Sequence, residues 1–568
     1  MDKLLSSSAF CQSERMCRFL RFAVGKSLAG EADTLKEYLL GVEVFDRKVS
    51  YDPRVDPIVR VEARRLRSKL KKYYESQGRE DEIVVEFPTG GYAPKFLFKG
   101  PRSVSPENKP DASLGRGSTI AVLPFTNLSA DADNEYFSDG LPEELIHGLT
   151  KVPDLRVVAW NSAVKLKGAP QDVYAIGKQL GVSTVLMGSV RHSGGRLRIV
   201  AKLIEASTGY YLWSETYDRM MEDLFAIQEE ISCAIVQKLK IGLLPRSAAL
   251  TTRSPYNVEA YNLYLKGRYH WNKRTGEGLK RSAEYFRKAI VLEPGFALAY
   301  AGVSDAYSLL ADYGLLTPVE AMPEAKAAAS KAIDLDPTLA EAYSSLAFIS
   351  SHFDWNWAQA EEYYRRAMEL NPGYSTAHHW FSLDYLAMLG RFEEAFAEIR
   401  IARQLDPLST IIREGVGFLM MLSGRYDEAV AEYRETLELD PYFYKGYTSL
   451  GRVLIQRGNY EEAIGMLLKG RSLSSDIPNI LGALGQAYAL AGDRQTAAGL
   501  VRELEQLAKR KYVPCTCFAV IYIGMGDHDR AMGHLERGCE QRELPLTGLA
   551  VHPAYEGLRD EPRFQRLL

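Results

Sequence analysis

Three segments in the C-terminal half of the chain decide its fold: Gly424-Arg425-Tyr426-Asp427-Glu428-Ala429, Gly458-Asn459-Tyr460-Glu461-Glu462-Ala463 and Gly492-Asp493-Arg494-Gln495-Thr496-Ala497. Each begins 34 residues after the one before it. The same spacing continues in both directions, with glycines at Gly390 and Gly526 and alanines at Ala395 and Ala531. Two residue types that keep one spacing over several units indicate an internal structural repeat.

A period of 34 residues is typical of the tetratricopeptide repeat, a pair of antiparallel helices. The glycine is expected where the first helix ends, because a residue without a Cβ adopts the left-handed conformation easily. The alanine is expected where the two helices cross closely. Prolines end the second helix of several units: Pro294, Pro337, Pro372, Pro407 and Pro441. The pattern predicts an α-solenoid over 256–568, with about eight repeats and a cap that begins near His552.

One unit is longer than the others. Pro294 and Pro337 are 43 residues apart, so about nine residues are inserted, and we expect them around 313–318.

The first helices of a solenoid line a concave groove, a surface that binds extended peptides or a helix of a partner. We therefore predict that a protein or peptide binds there. Counting back from each turn glycine places eight side chains in this groove: Trp380, Asp384, Glu414, Phe418, Lys445, Arg452, Asn479 and Gln486.

The chain length predicts several domains, and the repeat pattern predicts a predominantly α-helical protein. The 568 residues have a net charge of −3, which favours no polyanion over the chain as a whole. A segment rich in proline, glycine and serine predicts a linker at 100–117, and a weaker break lies at 244–255. The predicted domains are therefore 1–99, 118–243 and 256–568.

The sequence also predicts a cytoplasmic location. Six irregularly spaced cysteines favour a reducing compartment over a disulfide framework. The first residues contain no signal-type apolar stretch, and no window approaches the ~18 apolar residues that span a bilayer. No membrane partner is expected.

The region 118–243 alternates short apolar runs with helical patterns, which predicts a small α/β domain. Strands are expected at 119–125, 155–159, 184–190 and 197–204, the last two forming a hairpin, and a helix at 224–241. A further helix is expected to begin near Gly140, with Pro142 in its first turn. Asp139, Glu143 and Glu144 would then favour the helix dipole rather than form a catalytic cluster.

Four phrases in this region resemble the TolB-like domain: Ile120-Ala121-Val122-Leu123-Pro124-Phe125, Glu135-Tyr136-Phe137-Ser138-Asp139-Gly140, Gly188-Ser189-Val190 and Trp213-Ser214-Glu215-Thr216-Tyr217-Asp218-Arg219. That family is often joined to tetratricopeptide arrays in bacterial regulatory proteins. The resemblance implies a module that binds a ligand or a protein, without catalytic chemistry.

Residues 56–74 predict an amphipathic helix. Val59, Ala63, Leu66 and Leu70 form an apolar stripe that should face a core. A basic stripe is displaced by one residue and should project outward, where cationic side chains can contact DNA phosphates and base edges. Between 54 and 72 there are eight basic and two acidic residues. The predicted DNA-binding residues are Arg60, Arg64, Arg65, Arg67, Lys69 and Lys71.

A strand at 83–87, a turn and the start of a second strand at Gly91-Tyr92 follow this helix. Helix and hairpin together resemble the OmpR-type winged-helix domain of bacterial response regulators over about 35–96. The resemblance implies binding to double-stranded DNA. Residues 15–22 have a helical pattern, whereas the family has an antiparallel sheet before its first helix.

The sequence contains no phosphate-binding glycine loop, no nucleophile elbow and no H-E-x-x-H motif. The spacing of Cys515, Cys517, His528, His534 and Cys539 matches no zinc module. We therefore predict no enzyme activity, no cofactor and no metal site.

These patterns favour a cytoplasmic bacterial regulator that binds double-stranded DNA through its N-terminal domain and a protein partner through its solenoid. A pure protein–protein interaction scaffold is the alternative. A third hypothesis, by family analogy alone, is an effector region separated from an enzyme such as a cyclase.

Overall fold

The structure is a computed structural model. It describes the following residues: 2–5, 7, 10, 13–28, 34–48, 51–53, 56–75, 77–78, 81, 83–88, 91–98, 118–129, 135–152, 154–168, 172–193, 195–239, 257–474 and 477–568. The predicted linker 100–117 and the break 244–255 lie outside these residues. The chain forms two compact units, 1–113 and 114–568.

The N-terminal unit consists of helices followed by a two-stranded antiparallel sheet. Its elements are α1 (Asp2–Leu5), α2 (Glu14–Leu28), α3 (Glu37–Glu43), α4 (Ile58–Glu75), β1 (Ile83–Glu86) and β2 (Lys95–Phe98). The apolar stripe of α4 faces the core as predicted, since Val59, Ala63, Leu66 and Leu70 are at most 3% exposed. The second strand begins at Lys95 rather than at Gly91-Tyr92.

The central domain contains a mixed sheet with helices on both faces. Its strands are β3 (Ser118–Val122), β4 (Thr126–Asn127), β5 (Leu155–Val157), β6 (Thr184–Ser193), β7 (Arg196–Glu205) and β8 (Tyr211–Met220). The order is β5-β3-β6-β7-β8, with β4 beside β6. The helices are α5 (Glu135–Leu149), α6 (Trp160–Ala163), α7 (Val173–Leu180) and α8 (Leu224–Lys238). The prediction missed β8, an edge strand with mostly exposed side chains.

Helix α5 begins at Glu135, five residues before the predicted start, and Pro142 lies in its interior. A proline lacks the N–H that would bond to the carbonyl four residues earlier. That carbonyl, at Ser138, instead accepts a hydrogen bond of 3.1 Å from the backbone N–H of Phe125. A partner from outside the helix thus satisfies the group that the proline leaves free, so the helix continues.

The remaining residues form eight helix pairs, which agrees with the predicted repeat number. The first helices are α9 (Val258–Asn272), α11 (Ala297–Asp312), α13 (Ala340–His352), α15 (Ser375–Trp380), α17 (Thr410–Leu422), α19 (Tyr444–Gln456), α21 (Pro478–Leu490) and α23 (Cys515–Met525). The second helices are α10 (Gly276–Leu292), α12 (Pro318–Leu335), α14 (Trp357–Leu370), α16 (Phe392–Leu405), α18 (Tyr426–Leu439), α20 (Tyr460–Leu473), α22 (Arg494–Ala508) and α24 (His528–Glu540). Two 3₁₀ turns, Leu544–Gly548 and Pro553–Leu558, and α25 (Pro562–Gln565) follow.

Both roles assigned to the repeated residues are confirmed. The five turn glycines, from Gly390 to Gly526, have φ between 71° and 91°, which is the left-handed conformation. The five alanines, from Ala395 to Ala531, are 0% exposed between their helices. Arg274 and Trp355 adopt the left-handed conformation in the turns of the first and third repeats, with φ of 50° and 58°.

Two irregular repeats show how the solenoid absorbs additional residues. In the second repeat the helices have 16 and 18 residues, against 13 and 14 in the fifth, so most of the insertion lengthens helices rather than the loop. In the fourth repeat, Pro372 and Gly390 are one residue farther apart than Pro407 and Gly424. A π-helical turn, Phe381–Leu386, continues α15 and accommodates that residue.

The central domain packs on the solenoid within one compact unit. The Glu143 carboxylate lies 2.5 Å from Arg268 of α9 and accepts a 3.0 Å hydrogen bond from Asn272. Tyr264 of the same helix donates to Glu144 at 3.1 Å. The expectation that these acids only favour a first helical turn is therefore wrong, because they lie inside α5 and bind α9.

Within the described residues, no helix is both long and apolar enough to span a membrane.

Candidate functional site

The segment after the last repeat folds back to the concave side of the solenoid. Nη1 of Arg542 donates a 3.1 Å hydrogen bond to the carbonyl of Phe353, 189 residues earlier in the chain. Leu544 is 5% exposed and packs in a cluster with Phe348 and Trp380 of the third and fourth repeats. The predicted cap does cover the last repeat, through Tyr555, Leu558 and Phe564. It begins earlier than His552 and also reaches the early repeats.

A buried carboxylate fixes the start of this C-terminal segment, which we define as residues 541–558. Glu543 is 0% exposed and accepts hydrogen bonds from the backbone N–H groups of Cys515, at 2.5 Å, and Thr516, at 3.1 Å. These N–H groups lie at the first turn of α23, where they have no partner within the helix. The favourable interaction of an anion with a helix N-terminus holds the segment in place.

The first helices and the C-terminal segment together line an open cavity of ≈ 590 Å³. This volume lies within the range of about 300–1,000 Å³ that is typical of small-molecule sites. Seven of the eight predicted groove residues line it: Asp384, Glu414, Phe418, Lys445, Arg452, Asn479 and Gln486. The eighth, Trp380, lies instead in the cluster with Leu544, 5.2 Å from the ring of Phe348.

The repeat register explains why these side chains converge. Asp384, Phe418, Arg452 and Gln486 are separated by 34 residues each and occupy equivalent positions on successive first helices. They therefore form one column along the cavity wall. Asp384 lies in the π-helical turn of the fourth repeat.

The cavity wall carries charges of both signs. Burial and the neighbouring carboxylates of Asp312 and Glu414 hold the pKa of Asp384 well above its ordinary value. Burial also raises the pKa of Glu414, which accepts a 2.6 Å hydrogen bond from Ser449. The Nζ of Lys445 lies 3.9 Å from the ring centre of Tyr313, an arrangement that stabilises the ammonium group.

Two polar side chains of this wall have no partner in the described part of the chain. The amide of Gln486, whose side chain is buried at 6% exposure, makes no hydrogen bond there. The Arg452 guanidinium likewise makes neither a hydrogen bond nor an ion pair. Burial and the Arg452 charge together lower the pKa of His552 to about 3, so this neighbour is a neutral imidazole at neutral pH.

Sequence reasoning missed the cavity residues Asp312, His552 and Tyr555. Asp312 lies in the lengthened second repeat, and the other two follow the last regular repeat, so no periodic signal identifies them. The cysteines at 515 and 517 are accounted for by packing, since both are buried. Among the described residues, no group of three or more potential metal ligands lies together.

The structure describes five of the six predicted DNA-binding side chains of α4, and their surroundings differ. Arg64 is exposed and has no partner in the described part of the N-terminal unit. Arg65 pairs with Glu62 at 2.8 Å, and Arg60 with Glu37 at 2.8 Å, while both remain largely exposed. Lys69 is half-buried against Ser13. The side chain of Lys71 lies outside the described part of the structure.

Arg67 differs from the expectation of an outward-facing side chain. Its guanidinium donates to the carbonyls of Phe87, Pro88 and Gly91 at 3.1, 2.9 and 2.8 Å. These carbonyls belong to the connection between β1 and β2, so Arg67 fastens this connection to α4. A fork of N–H donors suits this role because it can satisfy several carbonyls at once.

The helix pairs and their 34-residue register are those of tetratricopeptide repeats. A family model described as tetratricopeptide repeat matches residues 420–486. Among solved structures, the chain is similar to the human IFIT1 dimer with m7Gppp-AAAA, at a TM-score of 0.40 and 14% identity, covering 56% of this chain and 77% of that one.

Two bacterial relatives share longer segments. The chain is 33% identical over 263 residues to "Putative adenylate cyclase 3" of Rhizobium meliloti strain 1021, a match that covers 46% of this chain and 44% of the relative. It is 21% identical over 292 residues to "Transcriptional regulator HilA" of Salmonella typhimurium strain LT2, covering 51% of each. The chain thus spans about half the length of the curated relatives it matches.

Proposed function

We propose that this protein is a non-enzymatic regulator whose N-terminal unit binds double-stranded DNA through the exposed face of α4, while its tetratricopeptide repeats bind a protein partner. The single observation that carries the DNA-binding proposal is the arrangement of arginines on α4. Arg60, Arg64 and Arg65 are exposed on this helix, whereas its apolar stripe is buried.

The geometry supports contact with phosphates in two ways. Arg64 has no carboxylate to compete with a phosphate among the described residues, and the guanidinium groups of Arg60 and Arg65 are 54% and 65% exposed although their carboxylate partners, Glu37 and Glu62, are mostly buried. Arg67 holds the β1–β2 connection against the same helix, so helix and hairpin present one surface. Such a surface suits a helix that enters a major groove with a neighbouring hairpin near the backbone.

The relative named a transcriptional regulator supports this proposal at low identity. The relative named as an adenylate cyclase instead favours the third hypothesis, that the chain is an effector region related to parts of such proteins. Repeats of this class imply interaction between proteins in either case. Salt-dependent DNA affinity separates the hypotheses.

The test measures binding of the full chain to duplex DNA at several salt concentrations. Each phosphate contact contributes about 0.9 to the slope of log K against log salt concentration. We expect Arg64→Ala and Arg65→Ala each to reduce that slope by about 0.9 if each side chain contacts one phosphate. The matched control is Arg434→Ala, an exposed arginine of the solenoid paired with Glu462, which should leave the slope unchanged.

If the wild-type chain shows no salt-dependent affinity at about 50 mM salt, where phosphate-driven binding is strong, the DNA-binding proposal fails. An interaction scaffold without DNA binding would then be the better description.

A further inference from the structure

The cavity of the solenoid brings together six ionisable groups that make no ion pair with one another. The cations Arg274, Lys445 and Arg452 and the carboxylates of Asp312, Asp384 and Glu414 all line it. In the described structure, none of the six makes an ion pair within 4.0 Å with another of the six. Five of the six are half-buried and Asp312 is exposed, so a ligand that enters the cavity can pair with them.

The position of Glu414 relative to Arg452 indicates how the ligand's charges are arranged. Glu414 accepts its hydrogen bond from Ser449, which lies one helical turn before Arg452 on α19. A carboxylate and a guanidinium therefore lie on neighbouring parts of one wall without closing on each other. Gln486, on the next first helix, is buried and adds an unpartnered amide beside Arg452 in the same column.

We propose that this cavity binds a zwitterionic ligand of the amino-acid type, a free amino acid or a short peptide, whose carboxylate pairs with Arg452 and the Gln486 amide and whose ammonium group pairs with Glu414. A ligand that carried only negative charge would leave the acidic side chains of Asp312, Asp384 and Glu414 without a partner, and one that carried only positive charge would leave the three cations without one. A zwitterion can pair with the acidic and the cationic side chains at the same time.

The cavity also offers apolar surface for the ligand's side chain. Phe418 and Leu422 of the fifth repeat and Met388 of the fourth line it between the charged groups. Ligand pockets combine such apolar walls with a few polar groups that set orientation. An amino acid with an apolar side chain fits this combination of apolar walls and charged groups. The inference concerns the solenoid alone and does not depend on DNA binding.

Isothermal titration of the full chain tests the proposal with defined probes. They are each of the proteinogenic amino acids, the dipeptide leucyl-leucine, and two analogues of leucine that carry one charge each, 4-methylpentanoate and 3-methylbutylamine. We expect saturable binding of at least one amino acid or of the dipeptide, with both single-charge analogues weaker by at least about tenfold. Binding by amino acids alone identifies a free amino acid as the ligand, and binding by the dipeptide alone identifies a short peptide.

Substitutions of the cavity residues test whether the ligand binds there. Arg452→Ala, Glu414→Gln and Gln486→Ala should each weaken the binding of the best probe, the first two by at least about tenfold. Arg457→Ala, on the same repeat but paired with Asp427 at the surface, is the matched control and should not change it. A melting temperature for each variant separates loss of binding from loss of fold, and Arg452→Gln removes the charge with a smaller change in side-chain volume where Arg452→Ala unfolds.

The proposal is overturned if no amino acid and no dipeptide binds at millimolar concentration. It is equally overturned if the single-charge analogues bind as well as the zwitterions, or if folded Arg452→Ala or Arg452→Gln and Glu414→Gln bind like the wild type.

Discussion

The guanidinium carbon of Arg542 lies 4.0 Å from the centre of the Trp355 ring. Trp355 occupies the turn of the third repeat, and Arg542 follows the second helix of the eighth. This contact, with the hydrogen bond from Arg542 to Phe353, connects the end of the solenoid to its early repeats.

A double-mutant cycle on Arg542 and Trp355 should detect this contact. A cation–π pair of this kind contributes about 0.5–2 kcal/mol, so the two alanine substitutions should show a coupling free energy of that size in thermal or urea unfolding. Arg510→Ala, an exposed arginine of the same half of the solenoid, is the control and should show no coupling to Trp355→Ala. A coupling energy of zero for Arg542 and Trp355 would mean that their contact does not form in solution.

The turn glycines should be sensitive to substitution where helix glycines are not. Gly458 has φ of 79°, and an added Cβ in the left-handed conformation costs about 1–2 kcal/mol. Gly458→Ala should therefore lower the melting temperature. Gly465 lies in helix α20 with open space around a Cβ, so Gly465→Ala should stabilise by about 0.5–1 kcal/mol. Equal effects of the two substitutions would contradict the repeat register.

The buried alanines should not tolerate a large side chain. Ala463 is 0% exposed between α19 and α20, and overpacking such a position costs about 1–3 kcal/mol or more. We expect Ala463→Phe to lower the unfolding midpoint clearly. Leu468→Phe, at a position on the same helix that is 45% exposed, should have little effect. A normal melt for Ala463→Phe would show that the helices do not cross there.

Acid should weaken the contact between the central domain and the third repeat. Nδ1 of His147 lies 2.9 Å from Oε1 of Glu341. Although burial acts to raise it, the pKa of Glu341 is lowered to about 2 from 4.5 by the charge and hydrogen bond of His147. A depressed carboxyl pKa stabilises the folded state above pH 4.5, and that stabilisation is lost as the pH falls towards 2. The difference corresponds to about 3 kcal/mol.

Melting curves of wild type and Glu341→Gln between pH 5 and pH 2 measure this effect. The wild type should be the more stable at pH 5, and the difference between the two melting temperatures should shrink steadily below pH 4.5. Glu277→Gln removes an exposed pair with Arg281 and serves as the control, with little change at any pH. A gap that stays constant down to pH 2 would exclude Glu341 as the titrating group.

Sequence periodicity identifies residues on the cavity wall, but it does not show which part of the concave side the cavity occupies. Asp384, Phe418, Arg452 and Gln486 recur at the repeat spacing, so counting from the turn glycines places them on the inner side of the first helices. Trp380 was assigned by the same count and instead packs near Leu544. The difference arises because the C-terminal segment takes up part of the concave side, and this segment has no period to count.

The sequence by itself determined the number of repeats, the left-handed turns at glycines such as Gly458, the buried crossings at alanines such as Ala463, and the buried stripe of α4. These features depend on contacts between residues close in sequence, whose spacing is visible as a pattern. Only the tertiary structure decided where Arg67 and Arg542 bind and why Pro142 does not end α5. Each of these depends on a backbone carbonyl whose position is set by a distant part of the chain, and every residue type has the same carbonyl, so the sequence carries no signal for such a partner.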